Sequence, residues 1–455
     1  FQIISYLLSM NKGTKWNVLK QLDMTTNQWA WNSTCWTIAA IIGEVPSNLL
    51  LKKTGVRLHF MRIVVLWSIM GACGAAAQNK SGLLVTRFLL GIFECGMYPG
   101  ILSQLTYWYR RDEIAVRMIV VGGAAAFSGI FTALYAWGIT YMNGVHGIAA
   151  WRWALLILSL CGVPVGAIVY FFLPTFPWEA KFLTERERAI LQCRLPPAQA
   201  KRADANFDWP AIRKDLSDPL FWSFTGIQVF QGVGTYGLQF WLPSIITSFG
   251  FTTTQSSQLL NIPGAAVGLS VGIFFAWLSQ RTLSIPRPVY IIGVISVTFT
   301  GFFCLAFVRN KPALYALTII ASSASSAFYA MLYPWRAQTL VGATSTAFVF
   351  SFQISAGQIS GIIGRCGYLA NFHHSRYAPR YTVPFMVCVG FQSLAVLSTL
   401  SAWYFSRNLE KISREETKQR RREEKEQKIE QKFEQTPAQN DDIVVEPRQL
   451  KEWGV

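Results

Sequence analysis

Three polar stripes on otherwise apolar segments carry the residues in this sequence that could do chemistry. In the run 82–108, Arg87, Gly91, Glu94 and Tyr98 recur at spacings of three, four or seven residues, which share one face of a 3.6-residue helix. A second stripe, Gln228, Gln231, Thr235 and Gln239, lies in the run 220–249, and a third, Ser322, Ser326, Tyr329, Tyr333 and Arg336, in the run 312–338. Facing lipid, unpaired side chains of these types would each cost several kcal/mol. They are therefore expected to face water or one another. Interhelical hydrogen bonding is the plainer role for such residues, and lining a water-filled cavity is the reading we prefer. Were the bound solute an anion, Arg87 would be the first choice for neutralising it and Arg336 the second, because desolvating an anion without a positive partner is prohibitive. Glu94 would be the group that carries a proton, and Gln228, Gln231, Gln239, Tyr329 and Tyr333 would orient the solute by neutral hydrogen bonds. Arg87 and Glu94 are separated by about 10 Å of helical rise, too far for a direct ion pair. Glu44 could serve transport or simply pair with loop arginines. No nucleophile with a base, no HExxH and no metal-ligand cluster is present, so neither enzymatic activity nor a metal or cofactor is expected.

The elements that must hold these stripes are membrane spans. Charged residues make up only 14% of the 455 residues while AVILMFWYC make up 52%, the balance of a chain whose solvent is largely lipid. Apolar runs long enough to cross about 30 Å of hydrocarbon lie near 28–51, 60–79, 82–108, 114–142 and 151–174, and then near 220–249, 256–280, 287–308, 312–338, 343–368 and 382–405. Phe1 to Met10 is only about ten residues, or about 15 Å, and runs into Asn11, Lys12, Lys15 and Lys20. It reads as a short or damaged first helix with an incomplete N-terminus, and no cleavable signal is evident. The expected organisation is an all-α polytopic membrane protein of two pseudo-symmetric six-helix bundles, 1–174 and 219–405, joined by a cytoplasmic linker, 175–218, and followed by a charged, solvated and partly disordered cytoplasmic tail, 406–455.

The net charge of +17 does not indicate a nucleic-acid partner, because the basic residues sit in short loops and in the tail. Lys52, Lys53, Arg57, Arg62, Arg110, Arg111, Arg117, Arg281, Arg287 and the linker group all fall on one side, which places both termini in the cytoplasm. His373 and His374 sit in a loop beside Arg376 as a solvated surface. The eight cysteines are scattered singly, so neither a disulfide framework nor a zinc site is expected. A fixed offset of 235 relates Tyr98-Pro99, Gly122 and Gly129 to Tyr333-Pro334, Gly357 and Gly364 across two pairs of spans, the trace that a duplicated half would leave.

Several stretches resemble a known family: Glu44-Val45-Pro46-Ser47-Asn48-Leu49-Leu50-Leu51, then Arg87-Phe88-Leu89-Leu90-Gly91 with Glu94, Gly96 and Pro99-Gly100, and Trp151-Arg152-Trp153. Phe171-Phe172-Leu173-Pro174, Ala180-Lys181-Phe182-Leu183-Thr184-Glu185-Arg186-Glu187-Arg188 and Ala378-Pro379-Arg380-Tyr381 complete the set. Together they resemble the fungal anion:cation symporters related to allantoate permease, within the major facilitator superfamily. The resemblance implies the major facilitator fold and proton-coupled uptake of a small organic anion such as allantoate, nicotinate, pantothenate or biotin across the plasma membrane. It also implies that Arg87 takes part in proton coupling and that Gly55 and Arg57, with Lys53 and Arg281, belong to gating loops. The chain departs from the family at the first helix, where an Asp-Arg pair is missing. It departs again at Lys52, at Ser279-Gln280-Arg281, and at Ser345 and Thr346, where basic residues are usual. The expected mechanism is alternating access around a midplane site enclosed by spans one, four, seven and ten, with protons and an organic anion as partners and the chain acting as a monomer. The rivals are a nutrient sensor that binds without transport, which the charged tail and altered loops would suit, and an inactive divergent transporter.

Overall fold

The computed structural model describes residues 6–8, 10, 14–109, 114–174, 176–177, 180, 182–194, 209–249, 256–282, 285–340, 343–366 and 382–435. Those residues are helical almost throughout. A single turn, α1 (Val18–Gln21), precedes α2 (Thr26–Thr54), α3 (Val56–Ala75), α4 (Lys80–Glu94), α5 (Met97–Trp108), α6 (Ile114–Thr140) and α7 (Ala150–Phe172). The linker carries α8 (Glu185–Arg194) and α9 (Trp209–Ser217), and the second half carries α10 (Pro219–Phe249), α11 (Ile262–Arg281), α12 (Arg287–Phe307), α13 (Lys311–Thr339), α14 (Ala343–Cys366) and α15 (Thr382–Gln435). Among the described residues, nine helical segments are long and apolar enough to cross a membrane. Phe171, Phe172, Val120 and Leu160 are exposed on them, as a lipid-facing surface requires.

Local sequence sets the boundaries. Thr25 opens α2 with a capping box, in which the Gln28 N–H donates to Thr25 Oγ1 at 3.2 Å and the Thr25 N–H donates to Gln28 Oε1 at 3.0 Å. Gly55, at φ 75°, is the one residue between α2 and α3, a left-handed turn that a side chain would strain. The first expected segment is described only at residues 6–8 and 10, where Asn17 Nδ2 donates to the carbonyls of Met10 and Leu8 at 3.0 and 3.4 Å. It is well packed there, since Tyr6, Leu7, Leu8 and Met10 are buried in one cluster with Trp29, Leu83 and Trp151.

The duplicated half is visible in the packing. Within the halves α2 packs on α4, as α11 packs on α13. Between the halves α2 meets α14 while α6 meets α11, and α5 meets α14 while α6 meets α13. Each pair is the 235-offset image of the other, which is the arrangement a pseudo-twofold axis produces. On the linker side an apolar cluster of Leu102, Met118, Tyr333, Leu340, Phe350 and Ile354 joins the two halves.

One expectation needs revision. The run 82–108 is not one helix: it breaks at Cys95 and Gly96 into α4 and α5, so the single-helix face assumed for Arg87 to Tyr98 ends at Glu94. The first part of the charged tail is helical, since α15 continues to Gln435, and residues 436–455 lie outside the described residues. Lys, Arg, Glu and Gln are strong helix formers, and pairs such as Arg414 with Glu410 at 2.9 Å add one-turn support.

Candidate functional site

The break in the fourth span creates the site. Gly96 adopts φ 83°, ψ −8°, and a Cβ there would lie 2.5 Å from Ser47 Oγ and 2.8 Å from Ser47 Cβ. Only glycine fits both the left-handed backbone and the approach of α2. Ser47 Oγ donates to the Cys95 carbonyl at 3.0 Å, satisfying a group left without a ladder donor because Pro99, four residues on, has no N–H. Non-helical backbone at this depth is tolerated where it is buried in protein or lines a cavity.

That cavity, about 460 Å³, lies between the two halves. Glu94, Cys95, Gly96, Met97 and Tyr98 line it from the break, Trp36 and Glu44 from α2, Gly122 and Gly123 from α6, Tyr236 and Gln239 from α10, Tyr329 and Tyr333 from α13, and Gln358 from α14. The N-terminus of α5 has no side-chain cap, and its ladder starts only with the Gly100 N–H donating to the Gly96 carbonyl. Pro99 has no N–H, so the Met97 and Tyr98 amides are the donors left at this end, beside the cavity. Glu94 is fixed by Trp36, whose Nε1–H donates to Glu94 Oε2 at 2.8 Å.

Of the residues expected from the sequence, Glu94, Gln239, Tyr329 and Tyr333 line this cavity. Gln228 supports it from behind, with its Nε2–H donating to Tyr333 Oη at 3.2 Å, while Gln231 is buried. Tyr98 and Tyr333, the two halves' equivalent tyrosines, meet edge to face at 5.7 Å, and Tyr329 stacks on Tyr333 at 6.0 Å. Arg87 lies outside the lining. It is buried within electrostatic reach of Glu94, and its Nε and one terminal nitrogen have no hydrogen-bond partner. Arg336 also lies outside it, donating to Thr339 Oγ1 at 3.0 Å and lying 4.8 Å from the centre of the Phe224 ring. Its nearby charges are Asp215 and Asp218 of the linker. The hydroxyl of Ser345, where the family is usually basic, donates to Asp215 Oδ2 at 2.5 Å, so α9 docks on the end of α14 through this group. Burial raises the Asp215 carboxyl above its ordinary range, against the opposing pull of Ser345 and Arg336.

Of the gating residues, Lys53 is exposed and Arg57 Nε donates to the Leu173 carbonyl at 2.8 Å. The side chains of Arg281, Lys52 and Ser326 lie outside the described residues, as do His373, His374 and the Ala378 to Tyr381 motif. Sequence reasoning left Trp36, Tyr236 and Gln358 unassigned, because each is an isolated polar or aromatic residue on an apolar helix. Gly96 followed by Pro99 was the available signal for the break, since glycine favours a helix boundary and proline the first turn after it. No metal-ligand group is found among the described residues.

Comparison with known proteins agrees with this architecture. The family model for the Major Facilitator Superfamily matches residues 3–365. The MFS transporter prlL from a fungal species is 28% identical over 361 residues, covering 78% of this chain and 72% of that protein. A putative tartrate transporter from Agrobacterium vitis is 29% identical over 325 residues, 70% of each chain. The putative metabolite transport protein NicT from Pseudomonas putida is 28% identical over 369 residues, covering 79% and 82%. Among solved structures, a bacterial homolog to the human lysosomal transporter Spinster, in an inward-facing and unoccupied conformation, superposes with a TM-score of 0.63. It covers 90% of this chain and 95% of its own at 14% identity, a likeness of fold alone. With that span of residues matched, and with its symmetry-related halves enclosing one central cavity, the chain is an integral membrane protein that belongs to the Major Facilitator Superfamily.

Proposed function

We propose that this chain is a proton-coupled symporter that imports a small organic anion by alternating access, and that it belongs with the allantoate permease-like anion:cation symporters. The observation that carries the reading is the broken fourth span, which sets a carboxylate and an uncapped helix N-terminus on the wall of one cavity between two halves. Half-helix N-termini at the midplane suit a carboxylate substrate, because the partial positive charge and free N–H groups replace its hydration. Glu94 carries the proton, and Arg87, buried with unpaired N–H groups behind it, senses the Glu94 charge or meets the substrate when the halves rock. Tyr98, Gln239, Tyr329 and Tyr333 orient the solute. Relatives named as putative tartrate transporters support a carboxylate. Both termini and the linker face the cytoplasm, the plasma membrane is the site, and the halves are 1–174 and 219–405.

An organic cation is the second reading. Glu44 and Glu94 line the cavity with Trp36 and four tyrosines, and among the described residues no lysine, arginine or histidine does so. Aromatic faces beside carboxylates suit a cationic nitrogen.

Uptake by cells expressing the chain, screened with labelled tartrate, allantoate, nicotinate and tetraethylammonium, separates the two readings. For an acid that is carried, Glu94→Gln should sharply reduce accumulation against a gradient while exchange of labelled for unlabelled substrate persists. Arg87→Lys keeps the charge but loses the planar fork, and uptake should fall about 10- to 100-fold, from the roughly 1.5–3 kcal/mol that a hydrogen bond to a charged group contributes. Full proton-driven uptake in Glu94→Gln, or equal loss of folded protein in both variants, would remove α4 from the mechanism.

A further inference from the structure

Glu44 is a second carboxylate in the same cavity, and Glu94 alone does not explain it. It is 5% exposed on α2, and its Oε2 accepts a 2.6 Å hydrogen bond from Ser355 Oγ, which belongs to α14 in the other half. One turn along, Asn48 Nδ2 donates to Ser351 Oγ at 2.5 Å. Residue 44 pairs with 355 and residue 48 with 351, so α2 and α14 run antiparallel and share a two-rung polar seam between the halves. Sharing the cavity wall with Glu44 are Glu94 and Cys95 at the end of α4, Tyr98 on α5, Tyr236 on α10 and Tyr329 and Tyr333 on α13, of which Cys95 and Tyr333 lie within its electrostatic reach. Arg62, on α3, reaches the same neighbourhood electrostatically through Cys95, and it bonds His59 of its own helix at 3.3 Å. The hydrogen-bond donor recorded for Glu44 is the neutral Ser355 hydroxyl. Serine also reduces the cost of holding a charge there, so the group is built to exist in two states rather than to anchor a fixed ion pair.

We infer that Glu44 is a second proton-carrying carboxylate of the transport cycle and that its protonation loosens the seam between α2 and α14. This rests on the symport reading above. Ionised, Glu44 accepts a charge-assisted hydrogen bond from Ser355 and ties the halves together; protonated, it keeps at most a neutral bond, about half as strong. The same proton removes a negative charge that would repel a carboxylate entering a cavity already lined by Glu94. Protons therefore bind before the anion. With both carboxylates protonated, two protons accompany each monocarboxylate, and one net positive charge crosses per cycle.

The test needs no substrate. Full-length protein in lipid nanodiscs is treated with dicyclohexylcarbodiimide, which couples to protonated carboxyls in apolar surroundings, and the adducts are located by peptide mass spectrometry across a pH series. Adducts are expected at both Glu44 and Glu94, with yields falling as pH rises. Glu94→Gln should leave the Glu44 adduct in place, and Ser355→Ala, which removes the donor that favours the ionised form, should raise its yield at neutral pH. A Glu44 that stays unlabelled, or labelling indifferent to both pH and Ser355→Ala, overturns the inference. Failure of the symport reading shows separately, as absence of labelled-acid uptake by cells expressing the unaltered chain.

Discussion

The fourth and tenth spans descend from the same position in the repeat, yet one is broken and the other is not. At Cys95 and Gly96 the first half interrupts its helix, whereas 235 residues on Ala330 and Met331 continue α13 without a pause. Both spans then deliver a tyrosine and a proline, and the two tyrosines meet across the cavity. The first half thus contributes what bears charge: the Glu94 carboxylate and the N–H groups at the start of α5. The second contributes neutral surface, Tyr329 and Tyr333, backed by Gln228. Duplication supplies two equivalent frames, and a single glycine able to adopt a positive φ makes them chemically unequal.

The sharpest way to break that contrast is to exchange the residues that cause it. Gly96→Ala must place a Cβ in the left-handed region, at about 1–2 kcal/mol, and against Ser47, where overpacking costs roughly 1–3 kcal/mol more. It should lower the melting temperature in detergent markedly and reduce the monodisperse fraction on size-exclusion chromatography. Ala330→Gly, in the intact helix beside Met331, the residue that matches Gly96, should cost only about 0.5–1 kcal/mol. Equal effects from the two would show that the break does not depend on glycine.

Ser47→Ala tests the middle of the scale. It deletes the donor to the Cys95 carbonyl and leaves a buried acceptor unsatisfied, at about 1–3 kcal/mol. The loss should appear as a lower melting temperature, and Ser47→Thr, which restores a hydroxyl, should recover part of it. No change in Ser47→Ala would mean that water reaches the break.

The smallest effect is expected where the linker helix meets the second half. Asp215 is a carboxyl whose folded value is raised, so between its unfolded and folded values the folded state binds more protons. Stability of α9 docking should therefore rise as pH falls through that window, which starts at the ordinary carboxylate range and extends upward, and decline as pH climbs through it. Because the group is only half buried, the change should stay below about 1 kcal/mol. Amide hydrogen exchange of Trp209–Ser217 would measure it, and Asp215→Asn should flatten the profile.

From the sequence alone, the apolar runs determined the number and order of most spans, because a chain in lipid must satisfy its backbone internally and has few alternatives to helices. The 235-residue offset pointed to the two-half plan, since the helices it relates, α2 with α11 and α14 with α6, make equivalent contacts. Glu94, Gln239, Tyr329 and Tyr333 were legible as cavity-lining residues, because a polar side chain on an apolar helix has little else to face. Tertiary structure decided the rest. Arg336 has the residue type of an anion ligand, but its place at the linker end beside Thr339 and Phe224 depends on where α9 and α14 come together. Glu44 gained its partner from a serine more than three hundred residues away. Gly96 is a helix break and not a packing glycine because α2 presses Ser47 against it. Helical periodicity fixes which residues share a face, but not which distant helix that face meets, and it is the meeting that makes a cavity.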